Sequence, residues 1–144
     1  MGKTLALLTM RILLSMNLLY GALSLKFAGV PGSVALFTQM SHAFHGIVSE
    51  PIFRLGSGTF ETVVAVLLLI PKTARLGAAL TVLWMTVVIL SHIFILGYGP
   101  FFVDAATVMA VAVIYLLLTQ RQTQVTDAGS RSIRFPRPSP RRAV

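Results

Sequence analysis

Apolar residues fall along this chain in four long runs, separated by short polar or Gly/Pro-rich breaks. The runs cover about 5–27, 52–70, 73–96 and 101–119. They lack both the period-2 alternation of half-buried strands and the single apolar stripe of a surface helix. The second run is the most sharply bounded, with Pro51 before it and Pro71 after it, at helix ends where proline is tolerated. At about 1.5 Å per residue, Ile52 to Ile70 spans roughly 28 Å, close to the hydrocarbon core of a bilayer. Each run therefore predicts a membrane-spanning helix. Between the first two lies a turn cluster, Gly29, Pro31 and Gly32, followed by Ser33–Ile47. There Val34, Leu36, Phe37, Met40, Phe44 and Ile47 carry the apolar side, and Gln39, His42 and His45 are interleaved. This stretch is too short and too polar to span, and it predicts an interfacial or re-entrant amphipathic helix. Ile70-Pro71-Lys72 and Gly97-Tyr98-Gly99-Pro100 make the remaining connections. The expected fold is all-α: an integral membrane four-helix bundle over residues 1–120, with a short amphipathic helix in one loop.

From Arg121 the pattern stops. Gln, Thr, Ser, Pro and Arg dominate residues 121–144, which predicts a disordered basic tail with too little apolar surface to offset the entropy of ordering. Composition agrees with this division: hydrophobic residues make up 56% of the chain, charged residues 11%, and mean hydropathy is +0.84. The net charge of +8 suggests nucleic acid until it is located, because six of the 12 basic residues follow Gln120. Specific nucleic-acid binding is not expected. The tail reads as a topology signal with weak attraction to anionic lipid headgroups. Lys3, Arg11, Lys72, Arg75 and the six tail arginines lie on one side of the expected bundle, and Lys26 and Arg54 on the other. Both termini are therefore expected in the cytoplasm, with the amphipathic segment outside. The first run is too long for the core of a signal peptide, is interrupted by Arg11 and lacks a small-residue cleavage site. Position 6 is Ala, which breaks the myristoylation pattern.

The candidate chemistry lies in the few polar residues of the apolar runs. Glu61 sits mid-span, where an unpaired charged carboxylate costs about 2.5 kcal/mol or more. Asn17 is expected at similar depth on the first helix, so the two predict a meeting in the bundle interior. Lys26 lies about 13 Å farther along the first helix, which predicts a protonated, hydrogen-bonded Glu61 rather than an ion pair with Lys26. Lys26, Arg54, His92 and Asp104 gather in the outer half, predicting a polar cavity that opens away from the cytoplasm with Glu61 at its floor. Asn17, Lys26, Glu61, His92 and Asp104 are the candidate ligand-binding residues, with Glu61 the candidate for proton exchange. Each has a plainer reading. Lys26 and Arg54 suit interfacial anchors, His92 an interhelical hydrogen bond, and Asp104 a favourable charge in the first turn of the fourth helix. His42 and His45 have i,i+3 spacing that can hold a metal, but no third ligand is adjacent, and a polar interfacial face is the simpler reading. There is no cysteine, so thiol nucleophiles, iron–sulfur clusters and thiolate metal sites are excluded within the chain. Walker, dinucleotide-fingerprint and catalytic-triad patterns are also missing.

The order of these features resembles the DoxX family of four-helix membrane proteins. It runs from Arg11-Ile-Leu-Leu-Ser through Tyr20-Gly21-Ala22 and Lys26 to an outer segment. Glu61 then stands ahead of Val63–Ile70, a Pro-Lys-Thr-Ala-Arg turn follows, and His92 comes near the end of the third helix. The resemblance covers about residues 5–120, and Arg11, Lys26 and Glu61 carry most of it. It implies a bacterial inner-membrane protein with both termini inside. It also implies a small subunit of a membrane redox complex handling a quinone or another lipophilic small molecule. The alternative function is a non-catalytic accessory or assembly protein that stabilises a membrane partner. A transporter ranks third, since no inverted repeat is visible. Any redox chemistry would need a bound cofactor or a partner.

Overall fold

The computed structural model describes residues 2–132, and the last part of the basic tail, 133–144, lies outside the described residues. Helix α1 runs Gly2–Leu19 and continues without a break as a π-helical stretch, Tyr20–Phe27. Helix α2 is Pro31–Ala43, α3 is Glu50–Leu69, and α4 is Ala74–Ser91 with a second π-helical stretch, His92–Leu96. Helix α5 is Pro100–Ser132. Among the described residues there is no strand. Four helices are long and apolar enough to cross a membrane, the signature of a multi-pass membrane protein. Around the bundle α1 packs against α3 and α5, and α4 also packs against α3 and α5, while α2 lies against α3 and the π-helical end of α4.

Local chemistry explains the boundaries. Pro31 and Pro51 each sit at the start of a helix, where a missing N–H costs nothing. Gly29, Gly46 and Gly97 take positive φ values of 63°, 71° and 77°, ending α1's extension, α2's turn and α4's extension. The amphipathic segment forms a helix from Pro31, two residues earlier than its pattern suggests, and ends at Ala43. The fourth spanning helix shows the largest departure. Residues 121–132, expected to be disordered, continue α5 to Ser132. Once a helix is nucleated, each further residue adds a hydrogen bond, and no proline interrupts the chain before Pro136.

One end of the bundle is tightly closed. A Cβ on Gly77 would lie 2.8 Å from the Leu68 backbone nitrogen, so α3 and α4 approach there to backbone contact. Ala74, Ala78 and Thr81 are buried beside it. On α1, Ser15 donates its hydroxyl proton to the Ala65 carbonyl at 3.0 Å. Arg11, counted above among the basic residues of one side of the bundle, caps α3. Its Nε donates to the Leu68 carbonyl at 2.9 Å and a terminal nitrogen to that of Leu69 at 2.6 Å. These carbonyls have no acceptor role left inside the helix, so a guanidinium at a helix C-terminus satisfies them. On α5 the helically spaced small residues Ala106 and Ala110 do not face the interior. Ala105, Val108, Ala112 and Tyr115 do. A helix that is apolar all round gives no stripe from which to read its buried face. Large side chains such as Leu13, Met16, Val63, Leu83 and Leu117 are exposed on the outside, as lipid contact requires.

Candidate ligand cavity

At the other end the helices stand apart around a cavity of about 560 Å³. The two π-helical stretches belong to this end. A π-helix places more residues in each turn and advances less per residue than an α-helix, and such stretches occur mostly at functional sites. Its i→i+5 bonds are visible where Ala28 N–H donates to Leu23 O at 3.2 Å and Gly97 N–H to His92 O at 2.7 Å. Lys26 lies within the first of these stretches, and His92 opens the second.

The structure overturns the expected partners of Glu61. The carboxylate is 4% exposed and forms an ion pair with Lys26 through Oε1. The same oxygen accepts a hydrogen bond from the indole Nε1 of Trp84 at 3.0 Å. The level of Glu61 on α1 is Gly21, not Asn17: a Cβ on Gly21 would lie 3.4 Å from Glu61 Oε2. A Cβ on Gly58, one turn before Glu61, would lie 3.3 Å from that of Lys26, so glycine allows the helices to close over the pair. Asn17 sits nearly a turn deeper and donates through Nδ2 to Asp104 Oδ1 at 3.0 Å. Asp104 does not occupy the first turn of its helix, because α5 starts at Pro100. Its carboxylate therefore joins α5 to α1 rather than capping helix amides.

The four ionisable candidates Lys26, Glu61, His92 and Asp104, together with Asn17, all line this one cavity. His92 is 5% exposed and its Nδ1 lies 2.9 Å from the Val88 carbonyl. In the neutral ring that contact puts the proton on Nδ1 and leaves Nε2 as an acceptor. His92 also lines a smaller cavity of about 250 Å³ beside Gln39 and Tyr98. Arg54 holds the rim. It pairs with Glu50 and donates to the Lys26 carbonyl, which fixes the end of the π-helical stretch against α3. His42 and His45 are exposed around the turn after α2, outside the cavity lining. Among the described residues no three His, Cys, Asp or Glu side chains cluster as a metal site would require.

The cavity walls differ from the expected polar ones. Leu18, Leu25, Phe37, Met40, Phe53 and Phe60 make them mostly apolar, and the polar groups gather in patches. Helix α2 supplies Phe37 and Met40, so the amphipathic segment turns its apolar side inward as a cover. Trp84 is a site residue that the sequence reading passed over. Its signal is available in the sequence, since the chain's one indole N–H within an apolar span needs an acceptor. The most informative atom is Glu61 Oε2, which is buried without a hydrogen-bond partner. Such an atom calls for an explanation, because native structures leave few buried polar groups unpaired. Compared with family models, curated proteins and solved structures, the chain matches none.

Proposed function

We propose that this chain is a small membrane subunit that binds a quinone or a similar lipophilic molecule in the cavity above Glu61. The observation carrying this reading is the buried, unpartnered Oε2 at an ion-paired carboxylate lining an apolar cavity of about 560 Å³. Pockets of about 300–1,000 Å³ with apolar walls and a few convergent polar groups suit small organic ligands. The residues fit a quinone ring. Lys26 is a donor for a carbonyl oxygen, Glu61 is an acceptor for a ring hydroxyl, and Phe60 and Trp84, with ring centroids 4.8 Å apart, offer flat apolar surface. A bound quinone supplies two-electron chemistry, and its electrons come from a further bound cofactor or from a partner protein, since the chain has no thiol of its own. The Lys26–Glu61 pair supplies a proton donor and acceptor joined across one contact. This assignment agrees with the DoxX-like order of Arg11, Lys26 and Glu61.

The proposal includes an orientation. Both termini are cytoplasmic, in a bacterial inner membrane, and the cavity opens on the opposite face. Ten basic residues against two support it. A tag placed between Gly29 and Pro31 is expected to be cut by protease added from outside, and a tag after Arg121 to be protected. The opposite pattern reverses the orientation.

One observation favours the accessory-protein reading. Glu61 Oε1 already has two donors, as a purely structural buried carboxylate would. Purification in mild detergent, with mass spectrometry of the organic extract, separates the two. A stoichiometric quinone supports the ligand reading. A stoichiometric membrane protein with no small molecule supports the accessory role.

A further inference from the structure

We infer that the cavity prefers ligands whose polar head is a neutral hydroxyl over heads that only accept, because Lys26 can donate to the oxygen of either while the vacant Glu61 Oε2 is served only by the hydroxyl. This inference rests on the reading of the cavity as a lipophilic-ligand site and adds the class of head group.

The argument follows the occupancy of the Glu61 oxygens. Oε1 receives Lys26 and the Trp84 indole N–H. Oε2 receives nothing and is buried. An ionised carboxylate has about four lone-pair positions and no donor, so the vacant side of Glu61 can only accept. A Cβ on Gly21 would lie 3.4 Å from Oε2, so on α1 this oxygen faces a residue with no side chain to offer it a proton. A ligand hydroxyl at Oε2 makes a charge-assisted hydrogen bond, roughly twice as strong as a neutral one. A carbonyl or ether oxygen in the same place sets two acceptors against each other.

The surrounding charges narrow the class. Lys26 already lies on the carboxylate, so a cationic head brings two positive charges to one acid. Asp104 lines the same cavity, and together with Glu61 it disfavours an anionic head. The His92 ring lines the cavity with Nδ1 on the Val88 carbonyl, so that only Nε2 is left to face a ligand. Neutral donors remain. In quinone chemistry this is the hydroxyl-bearing reduced form, so the site is built to hold the quinol better than the quinone.

Trp84 makes the inference measurable. It is the chain's single tryptophan, lines the cavity and is hydrogen-bonded to Glu61. The probes are 4-nonylcyclohexanol and 4-nonylcyclohexanone, which differ only in a hydroxyl against a carbonyl; the concentration at which the signal saturates, not its amplitude, is compared, with the ketone's weak absorption corrected for. Each is titrated into detergent-solubilised full-length protein while Trp84 emission is followed. The alcohol is expected to saturate at a concentration about tenfold lower than the ketone. Glu61→Gln provides the second arm. Its amide oxygen meets Lys26 and Trp84, so its NH₂ takes the Oε2 position and presents a donor. The alcohol preference is expected to vanish or reverse there, and the ratio between the two proteins cancels partition of the probes into micelles. Equal binding of the two probes to the unmodified protein overturns the inference while leaving the lipophilic-ligand reading intact, whatever the variant does. A lack of any saturable change in Trp84 with either probe overturns that reading itself. An alcohol preference that survives unchanged in a folded Glu61→Gln protein removes Oε2 as its cause.

Discussion

The two ends of this bundle are built from the same kind of apolar sequence and behave differently. At the end holding Arg11, Gly77 and Thr81, small side chains let α3 and α4 meet at backbone distance, and Ser15 and Arg11 satisfy α3 carbonyls from α1. At the end holding Lys26, Trp84 and His92, aromatic and charged side chains hold the helices apart, two helices widen into π-turns, and a cavity opens. Lipid tails are as apolar as leucine, so hydrophobicity does not draw the helices together. Contact geometry decides instead. Glycine, alanine and threonine close one end, and a buried charge pair anchors the other.

The largest effect is expected from breaking the charge pair. Glu61→Leu leaves the Lys26 ammonium with no counter-charge, and loss of one partner of a buried pair costs about 3–5 kcal/mol. The Lys26 and Glu61 side chains are only 15% and 5% exposed, which places them in that regime. Unfolding in mixed micelles is expected to show this loss, and the double variant Lys26→Met/Glu61→Leu is expected to recover most of it. If Glu61→Leu is as stable as the parent, the open end is not held by the pair.

The closed end gives the next effect. Gly77→Ala places a methyl group 2.8 Å from the Leu68 backbone nitrogen, and overpacking of this kind costs roughly 1–3 kcal/mol. Gly56→Ala, on α3 at the open end, meets nothing within 4 Å and is expected to be neutral or slightly stabilising. Equal responses from the two glycines would erase the contrast between the ends.

Asn17→Ala is the mildest. It removes the hydrogen bond to Asp104, and such bonds between spanning helices average about 0.6 kcal/mol. The same unfolding assay reads it, and a loss as large as that of Glu61→Leu would move the polar centre of the molecule from Glu61 to Asn17.

The element plan was legible in the sequence because it depends on length and local chemistry. Four apolar runs, Pro31 and Pro51 at helix starts and the Gly97–Pro100 turn need no tertiary information. So was the gathering of Asn17, Lys26, Glu61, His92 and Asp104 towards one region. Their pairing was not legible. Depths counted at the α-helical rise place Glu61 beside Asn17. The helices are offset instead so that Gly21 stands beside Glu61, which leaves Lys26 only five residues away and within side-chain reach of the carboxylate, and nothing local in the sequence signals that offset or the π-helical stretch of Tyr20–Phe27. The helical continuation to Ser132 was missed for a different reason. A polar composition signals the end of the membrane span, which is not the end of the helix.

The central claim is that the open end is a binding site for a lipophilic ring rather than a gap between helices. Quenching of Trp84 by a decyl-chain quinone analogue tests it most directly, comparing the parent with Gly56→Leu. Gly56 lines the cavity and a Cβ there meets nothing within 4 Å, so a larger side chain can enter at this position. Saturable quenching of Trp84 in the parent, lost in a Gly56→Leu protein of unchanged stability, is the result predicted. Quenching that rises without saturation and is identical in both proteins would mean that the quinone reaches Trp84 only by collision from the micelle, and would contradict the claim.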